Sequence, residues 1–185
     1  KSVLLLCPCF FGYQEFIKQS IERAGANVSL YDERCNPGFL DKILLRKFPV
    51  FEYARINREY KKIDSQLPCS IDYVLIVNPE SITPKILNKI KRKHHIKKTV
   101  LYMWDSFKNK KSAKNLLPFC DMSYTFDPRD AEKYNIKFRP LFFIDKFNAL
   151  FFQQNQKLTK FTLRKRYRQI KTTLNENIGT LESLM

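Results

Sequence analysis

Three consecutive residues in the middle of the chain carry side chains suited to binding a ligand and acting on it. Trp104, Asp105 and Ser106 follow the apolar residues 101–103, which are typical of the end of a strand. An indole face stacks on a sugar or a base, and a carboxylate can hydrogen-bond hydroxyl groups or remove a proton. We therefore take Asp105 as a candidate catalytic base, and Trp104 and Ser106 as candidate substrate contacts. The alternative is structural, with a partly buried Trp104 and a cap of the next helix at Asp105 or Ser106.

Two further segments follow predicted strands and add candidate substrate contacts. Gly12 and Tyr13 are candidates because a helix begins at Tyr13, where backbone amides can meet a phosphate, although Gly12 alone also suits a tight turn. The motifs GxGxxG and GxxxxGK[ST] are absent from the sequence, which disfavours dinucleotide and P-loop chemistry. Asp127 precedes Pro128 and is typical of a helix N-cap, and it is also a candidate substrate contact.

Metal and disulfide chemistry find little support among the cysteines and histidines. No two cysteines form a CxxC pair, and the only histidines are the adjacent His94 and His95, on a run that we expect to be exposed. We expect no metal site, reduced cysteines in a cytoplasmic protein, and buried or half-buried thiols at Cys7 and Cys9. The five cysteines are Cys7, Cys9, Cys35, Cys69 and Cys120.

Composition and charge limit the class of protein and its partners. The 185 residues are 44% hydrophobic and 14% aromatic, which excludes a disordered chain. The 34 Lys and Arg against 18 Asp and Glu give a charge of +16, so nucleic acid, an acidic membrane surface or a phosphorylated small molecule are possible partners. The basic run 89–98 favours a solvated helix face, then anionic lipid; nucleic acid is the least favoured because no known binding motif accompanies it.

The elements that position these side chains alternate along the chain. Apolar runs predict strands, and they are too short to span a membrane. Helical spacing of apolar residues predicts the elements between them, with Gly25 as a stop after the first helix and Thr83 as an N-cap before Pro84. This alternation predicts an α/β fold, a Rossmann-like open and mostly parallel sheet with helices on both faces, over residues 1–145, followed by a basic helical tail at 146–185. Strands are predicted at 2–7, 27–31, 71–77, 98–103, 121–126 and 138–143, and helices at 13–24, 39–47, 51–66, 81–94, 112–117 and 128–134.

A series of short motifs in a fixed order resembles the N-terminal half of bacterial CgeB-like glycosyltransferases of lipopolysaccharide or capsular polysaccharide biosynthesis. The resemblance covers about residues 1–145, and the order and spacing of the motifs carry it. The motifs are Pro8-x-x-x-Gly12-Tyr13, Tyr31-Asp32-Glu33-Arg34, Asp72-Tyr73-Val74-Leu75, Leu101-Tyr102-Met103-Trp104-Asp105-Ser106, Tyr124-Thr125-Phe126-Asp127-Pro128 with Asp130-Ala131, and Phe138-Arg139-Pro140-Leu141.

The resemblance implies two facing Rossmann-like domains (GT-B type), in which the C-terminal one holds the nucleotide-sugar donor. The N-terminal domain then supplies the acceptor side and the catalytic base, for which Asp105 and the residues near Gly12 are the candidates. It implies a glycan or a lipid-linked acceptor, no cofactor besides the nucleotide-sugar as substrate, and a cytoplasmic protein at the inner face of the membrane. Residues 146–185 do not resemble the family's continuation, so we expect a truncated or split half.

Two other classes of function stay open from the sequence. One is a non-catalytic Rossmann-like module that binds a partner, and the other is a basic nucleic-acid-binding protein. The apolar segment 141–152 bears on the first, because its five phenylalanines would form a large apolar patch unless the tail or another chain covers them. We expect the tail to fold over this patch, or the protein to self-associate. The five are Phe142, Phe143, Phe147, Phe151 and Phe152.

Overall fold

The computed structural model describes residues 1–34 and 49–141, with only the backbone at positions 49–52. Its strands are β1 (Ser2–Cys7), β2 (Asn27–Asp32), β3 (Ser70–Val77), β4 (His95–Met103), β5 (Met122–Thr125) and β6 (Lys137–Phe138). Its helices are α1 (Tyr13–Arg23), α2 (Pro49–Gln66), α3 (Pro84–Lys93), a 3₁₀ helix (Lys111–Phe119) and α4 (Pro128–Tyr134).

The six strands form one open sheet in the order β2-β1-β3-β4-β5-β6. Every neighbouring pair is parallel, and Leu5 of β1 is in register with Leu30 on one side and Leu75 on the other. The predicted α/β class and the Rossmann-like parallel sheet are therefore confirmed. The sheet and its helices lie within a compact unit, Lys1–Pro140.

Both faces of the central strands are buried, which explains why β1 reads as an unbroken apolar run. Leu4 and Leu6 belong to one core, which also contains side chains of α2, α3 and the 3₁₀ helix. Val3 and Leu5 belong to a second core, against which α1 packs through Ile17 and Ile21. Helices thus cover both faces, as predicted.

The order in which successive strands are added to the sheet reverses at β1. The connection through α1 leads from β1 to β2 at one edge, and the next connection returns to β3 on the other side of β1. In open parallel sheets, ligands bind beyond the carboxyl ends of the strands at such a reversal. The loops that follow β1, β3 and β4 are therefore where a site is expected.

Local signals marked three helix ends correctly, although the predicted helix 81–94 extends only over Pro84–Lys93. Oγ1 of Thr83 accepts a hydrogen bond from the Ile86 N–H at 3.3 Å, with Pro84 at the first position of α3. Asp127 caps α4 in the same way through the Arg129 N–H at 2.9 Å. Gly25 ends α1 with a left-handed φ of 83°.

The strand bounds differ from the predicted ones where pairing with a neighbouring strand, rather than apolar content, determines where a strand begins or ends. β4 begins at His95, three residues earlier than predicted, because His95 pairs with Ser70 and its N–H bonds to the Cys69 carbonyl at 2.9 Å. β6 has two residues, and residues 139–141 after it are not strand. The predicted helix 39–47, the tail 146–185 and the five phenylalanines of segment 141–152 lie outside the described residues.

Candidate functional site

The loop between β1 and α1 carries exposed aromatic side chains on a strained backbone. Phe11 and Gly12 both adopt left-handed conformations, with φ of 49° and 76°. This conformation is ordinary for glycine but costs a residue with a side chain about 1–2 kcal/mol. Phe11 is nevertheless 77% exposed, so burial of its ring does not repay this cost. Backbone strain of this kind concentrates at functional sites.

Four aromatic side chains meet at the carboxyl ends of β1 and β4, and we call them the aromatic rim: Phe10, Phe11, Tyr13 and Trp104. The ring centroids of Phe10 and Phe11 are 4.4 Å apart, and those of Phe10 and Tyr13 are 6.1 Å apart. Tyr13 meets Trp104 edge to face at 6.3 Å. Trp104 is half-buried and packs against the second core. The structure thus brings together two of the predicted site residues, Tyr13 and Trp104, beside Gly12.

The side chains of Asp105 and Ser106 fix the turn after β4. Asp105 Oδ1 accepts hydrogen bonds from the Ser106 N–H at 2.8 Å and the Asn109 side-chain amide at 2.9 Å. Ser106 Oγ donates a hydrogen bond to Asp130 Oδ2 at 3.0 Å. Asp130 Oδ2 also accepts a hydrogen bond from the Phe107 N–H at 2.8 Å. These bonds hold a turn and do not cap the next helix. Within the described part of the chain, Asp105 Oδ2 accepts no hydrogen bond, so one carboxylate oxygen remains for a ligand.

Asp127 acts as the cap of α4. Its Oδ1 accepts the Arg129 N–H, and its own N–H donates to Thr125 Oγ1 at 3.2 Å. The structural interpretation of Asp127 is confirmed. Its role as a substrate contact stays a prediction, as do those of Gly12 and Ser106.

Sequence reasoning missed Glu33, which is completely buried at the reversal point. Its carboxylate accepts three backbone N–H groups from the loop after β3, those of Glu80, Ser81 and Ile82, at 2.6–2.7 Å. Burial raises the pKa of the Glu33 carboxyl above its usual value, against the lowering effect of the three donors. Because an internal carboxylate occupies these donors, a phosphate finds no open nest in this loop. An acidic residue just after a predicted strand was the available signal.

Asn78, the first residue after β3, was also missed. It has a left-handed φ of 45° and is 4% exposed, and its N–H donates to the Tyr102 carbonyl at 2.8 Å. Its buried Oδ1 has no hydrogen-bond partner among the described residues. Such an oxygen is costly unless a donor reaches it, so Asn78 is a further candidate contact for a ligand hydroxyl. An Asn before Pro79, directly after a strand, could have indicated the turn.

The two neighbouring cysteines differ in exposure. Cys7 is buried, and burial raises the pKa of its thiol to about 12. Cys9 is exposed, contrary to the prediction, because it lies in the loop beyond β1. Partial burial and the neighbouring Asp32 also raise the pKa of Cys9, so neither thiol is a ready nucleophile at neutral pH. No group of three metal-ligating side chains occurs within residues 1–34 and 53–141.

His94 is not on an exposed surface, and this prediction was wrong. It is 3% exposed, with Nε2 at 3.0 Å from Asp64 Oδ1 and Nδ1 at 2.6 Å from the Pro68 carbonyl oxygen. Lys93 bonds to the other Asp64 oxygen at 2.9 Å. Burial alone would raise the pKa of Asp64, but the bonds from Lys93 and His94 outweigh it and hold the pKa below its usual range. Both ring nitrogens of His94 are engaged, which indicates a structural role.

Comparison with known protein families, curated proteins and solved structures gave no match. No helix in the described ranges has the length and apolarity needed to cross a bilayer. The class of this protein is therefore defined by its fold, an open parallel α/β sheet, and by the aromatic rim at the carboxyl ends of its strands.

Proposed function

We propose that this chain is the acceptor-binding domain of a glycosyltransferase of bacterial surface-polysaccharide synthesis. The aromatic rim is the observation that carries the proposal. Sugar rings present apolar C–H faces that pack on aromatic rings, and their hydroxyls need hydrogen-bond partners. The exposed rings of Phe10 and Phe11 and the half-buried Trp104 offer such faces at the edge where parallel sheets bind ligands.

Polar groups near the rim suit the hydroxyls of a glycan. Asp105 keeps Oδ2 open, and Asn78 has an unsatisfied buried Oδ1 within the described chain. Both oxygens accept hydrogen bonds, and hydroxyl groups donate them. A phosphate would be repelled by the Asp105 carboxylate, and Glu33 already occupies the loop amides. These features favour a neutral, hydroxyl-rich ligand at this edge over a nucleotide diphosphate.

The transfer step assigns a role to Asp105. Its open carboxylate oxygen takes the proton of the acceptor hydroxyl as that oxygen forms a bond to the anomeric carbon of the donor. The bond from that carbon to the diphosphate breaks, and the nucleoside diphosphate leaves with the electron pair. In keeping with the resemblance, we assign the donor to a second domain, so the present residues bind and activate the acceptor. The charge of +16 supports a place beside an anionic membrane surface, and the resemblance assigns that surface to the cytoplasmic side of the inner membrane.

Tryptophan fluorescence tests the proposal directly, because Trp104 is the only tryptophan in the sequence. Titration with neutral oligosaccharides should change the emission and saturate, and Phe11→Ala should weaken the affinity by about threefold to tenfold. Phe138→Ala, which removes another exposed ring on β6, is the matched control and should leave the affinity unchanged. Equal effects of both substitutions, or no response to any glycan, would refute a glycan site at the rim.

A second candidate function is a non-catalytic binding module, and the hydrogen bonds of the turn after β4 favour it. Asp105 Oδ1 and Ser106 Oγ are both committed to holding that turn. Asp105→Asn separates the two functions, since Asn keeps an acceptor oxygen for the turn but cannot take a proton. Supplied with the donor-binding domain, a catalytic protein should lose transfer and keep glycan affinity. A binding module would show no transfer with either residue.

A further inference from the structure

A shallow hollow lies between α2 and α3, on the face of the sheet opposite to α1. Its volume is about 520 Å³. Both helices pack on the first core, whereas Tyr13 begins the helix on the other face. The hollow is therefore separate from the aromatic rim. It is lined by Asn57, Lys85, Ile86, Lys89, Arg92 and Lys93.

The four cations form a stripe along α3. Lys85, Lys89, Arg92 and Lys93 are spaced by four, three and one residues, which places them along one side of a helix, and all four are exposed. α3 contains no acidic residue. Like charges four residues apart repel, and a lysine in the first turn opposes the helix dipole. The pair Lys85 and Lys89 is thus electrostatically unfavourable until an anion joins it, whereas Arg92 and Lys93 lie in the last turn, where the helix dipole favours cations.

Some lysines of the described chain have a carboxylate partner, whereas most of this stripe does not. Lys18, Lys62 and Lys97 each have a carboxylate partner within 4 Å. In the stripe only Lys93 has one, the Asp64 carboxylate. Over the described ranges, no salt bridge involves the other three cations, Lys85, Lys89 and Arg92. Their charges converge on the hollow without compensation.

The shape and lining of the hollow select among anions. Its one apolar lining residue, Ile86, is buried at 5% exposure, so no apolar side chain is offered for insertion into a bilayer. No aromatic side chain among the described residues lines it, so nucleic-acid bases find no stacking partner there. Several cations around a concave surface suit a compact group with two or more negative charges. We propose that this hollow binds a phosphorylated group, a phosphate monoester or a diphosphate.

The test uses inorganic pyrophosphate as the probe, with binding followed by calorimetry on the full chain. The salt concentration is kept near about 150 mM, at which diffuse surface attraction is largely screened. The double variant Lys85→Gln/Lys89→Gln should weaken the affinity by about tenfold or more, because two charge-assisted contacts are lost. Lys98→Gln/Lys111→Gln is the matched control, since it removes two exposed lysines elsewhere and should change the affinity less than about twofold.

Four outcomes decide the proposal. Equal weakening by both double variants would show attraction to net charge and would overturn the proposal. The proposal would also be overturned if the protein bound neither pyrophosphate saturably nor vesicles of phosphatidylcholine with phosphatidic acid. Binding to pyrophosphate alone assigns a soluble phosphorylated ligand. Vesicle binding that depends on Lys85 and Lys89 assigns a lipid headgroup. The emission of Trp104 reports the rim separately, so either site can fail without the other.

Discussion

At the amino-terminal ends of β3 and β4, buried polar groups bond to one another, whereas the carboxyl ends of β1 and β3 expose aromatic rings and hold an unsatisfied polar atom. His94 lies between the Asp64 carboxylate and the Pro68 carbonyl, and Lys93 completes the cluster. At the other end, Phe11 is exposed on a strained backbone and Asn78 has a buried Oδ1 with no partner in the described chain. The contrast separates an end whose buried polar groups pair with one another, here called the stabilising end, from the end where we propose a ligand site, here called the ligand end.

The largest expected effect is a loss of stability when the buried cluster at the stabilising end is disrupted. Asp64→Ala removes the partner of a buried imidazole and should lower the free energy of unfolding by about 3–5 kcal/mol. Urea denaturation measures the loss. Glu59→Ala, which removes a surface partner of Lys62 on the same helix, should cost less than about 1 kcal/mol. Comparable losses in the two variants would show that the buried cluster does not hold this end together.

A second change tests whether Glu33 stabilises the reversal point. In Glu33→Gln the side-chain NH₂ must face at least one backbone N–H, because Oε1 accepts two donors and Oε2 accepts the Glu80 N–H. The free energy of unfolding should fall by about 2 kcal/mol. Glu132→Gln, an exposed matched control, should change it by less than about 0.5 kcal/mol. An unchanged midpoint for Glu33→Gln would contradict the assigned hydrogen bonds.

The pH dependence of stability tests the role of Asp64 at the stabilising end. The pKa of Asp64 is lower in the fold than its unfolded value of about 3.9. Asp64 therefore contributes stability that is present above that value and is lost as the pH falls through the folded pKa. The difference in unfolding free energy between the protein and Asp64→Asn should be constant above about pH 5 and shrink below about pH 4. A difference that grows in acid would reverse the assigned sign.

The smallest expected effect comes from a substitution at the ligand end that should raise stability and lower glycan affinity. Phe11→Gly relieves a left-handed φ but adds chain entropy to the unfolded state, so stability should rise by about 0.5–1 kcal/mol. Glycan affinity should fall at the same time by about threefold to tenfold. Thermal unfolding and Trp104 fluorescence measure the two effects. A loss of stability would mean that the Phe11 ring contributes packing despite its exposure.

Local patterns predicted most of the fold. The apolar run of β1, the Thr83 and Asp127 caps and the glycine at the end of α1 all act over a few residues, and each was placed correctly from the sequence. The strand ends at β4 and β6 were not, because pairing with a neighbouring strand sets them. Two of the four rim residues were predicted individually, Trp104 because it follows a strand and Tyr13 because it begins the helix after β1. Phe10 and Phe11 were covered only as residues near Gly12, because a loop sequence does not show which rings stay exposed.

The sequence by itself determined the α/β alternation, because hydrophobic period and capping chemistry depend only on near neighbours. The tertiary structure decided which distant side chains meet. Glu33 reaches donors 47 to 49 residues away because the parallel strands β2 and β3 flank β1 and end at the same edge of the sheet. His94 contacts Asp64, 30 residues away, because α2 packs beside the start of β4. Strand order and helix packing fix such contacts, and no local pattern encodes either.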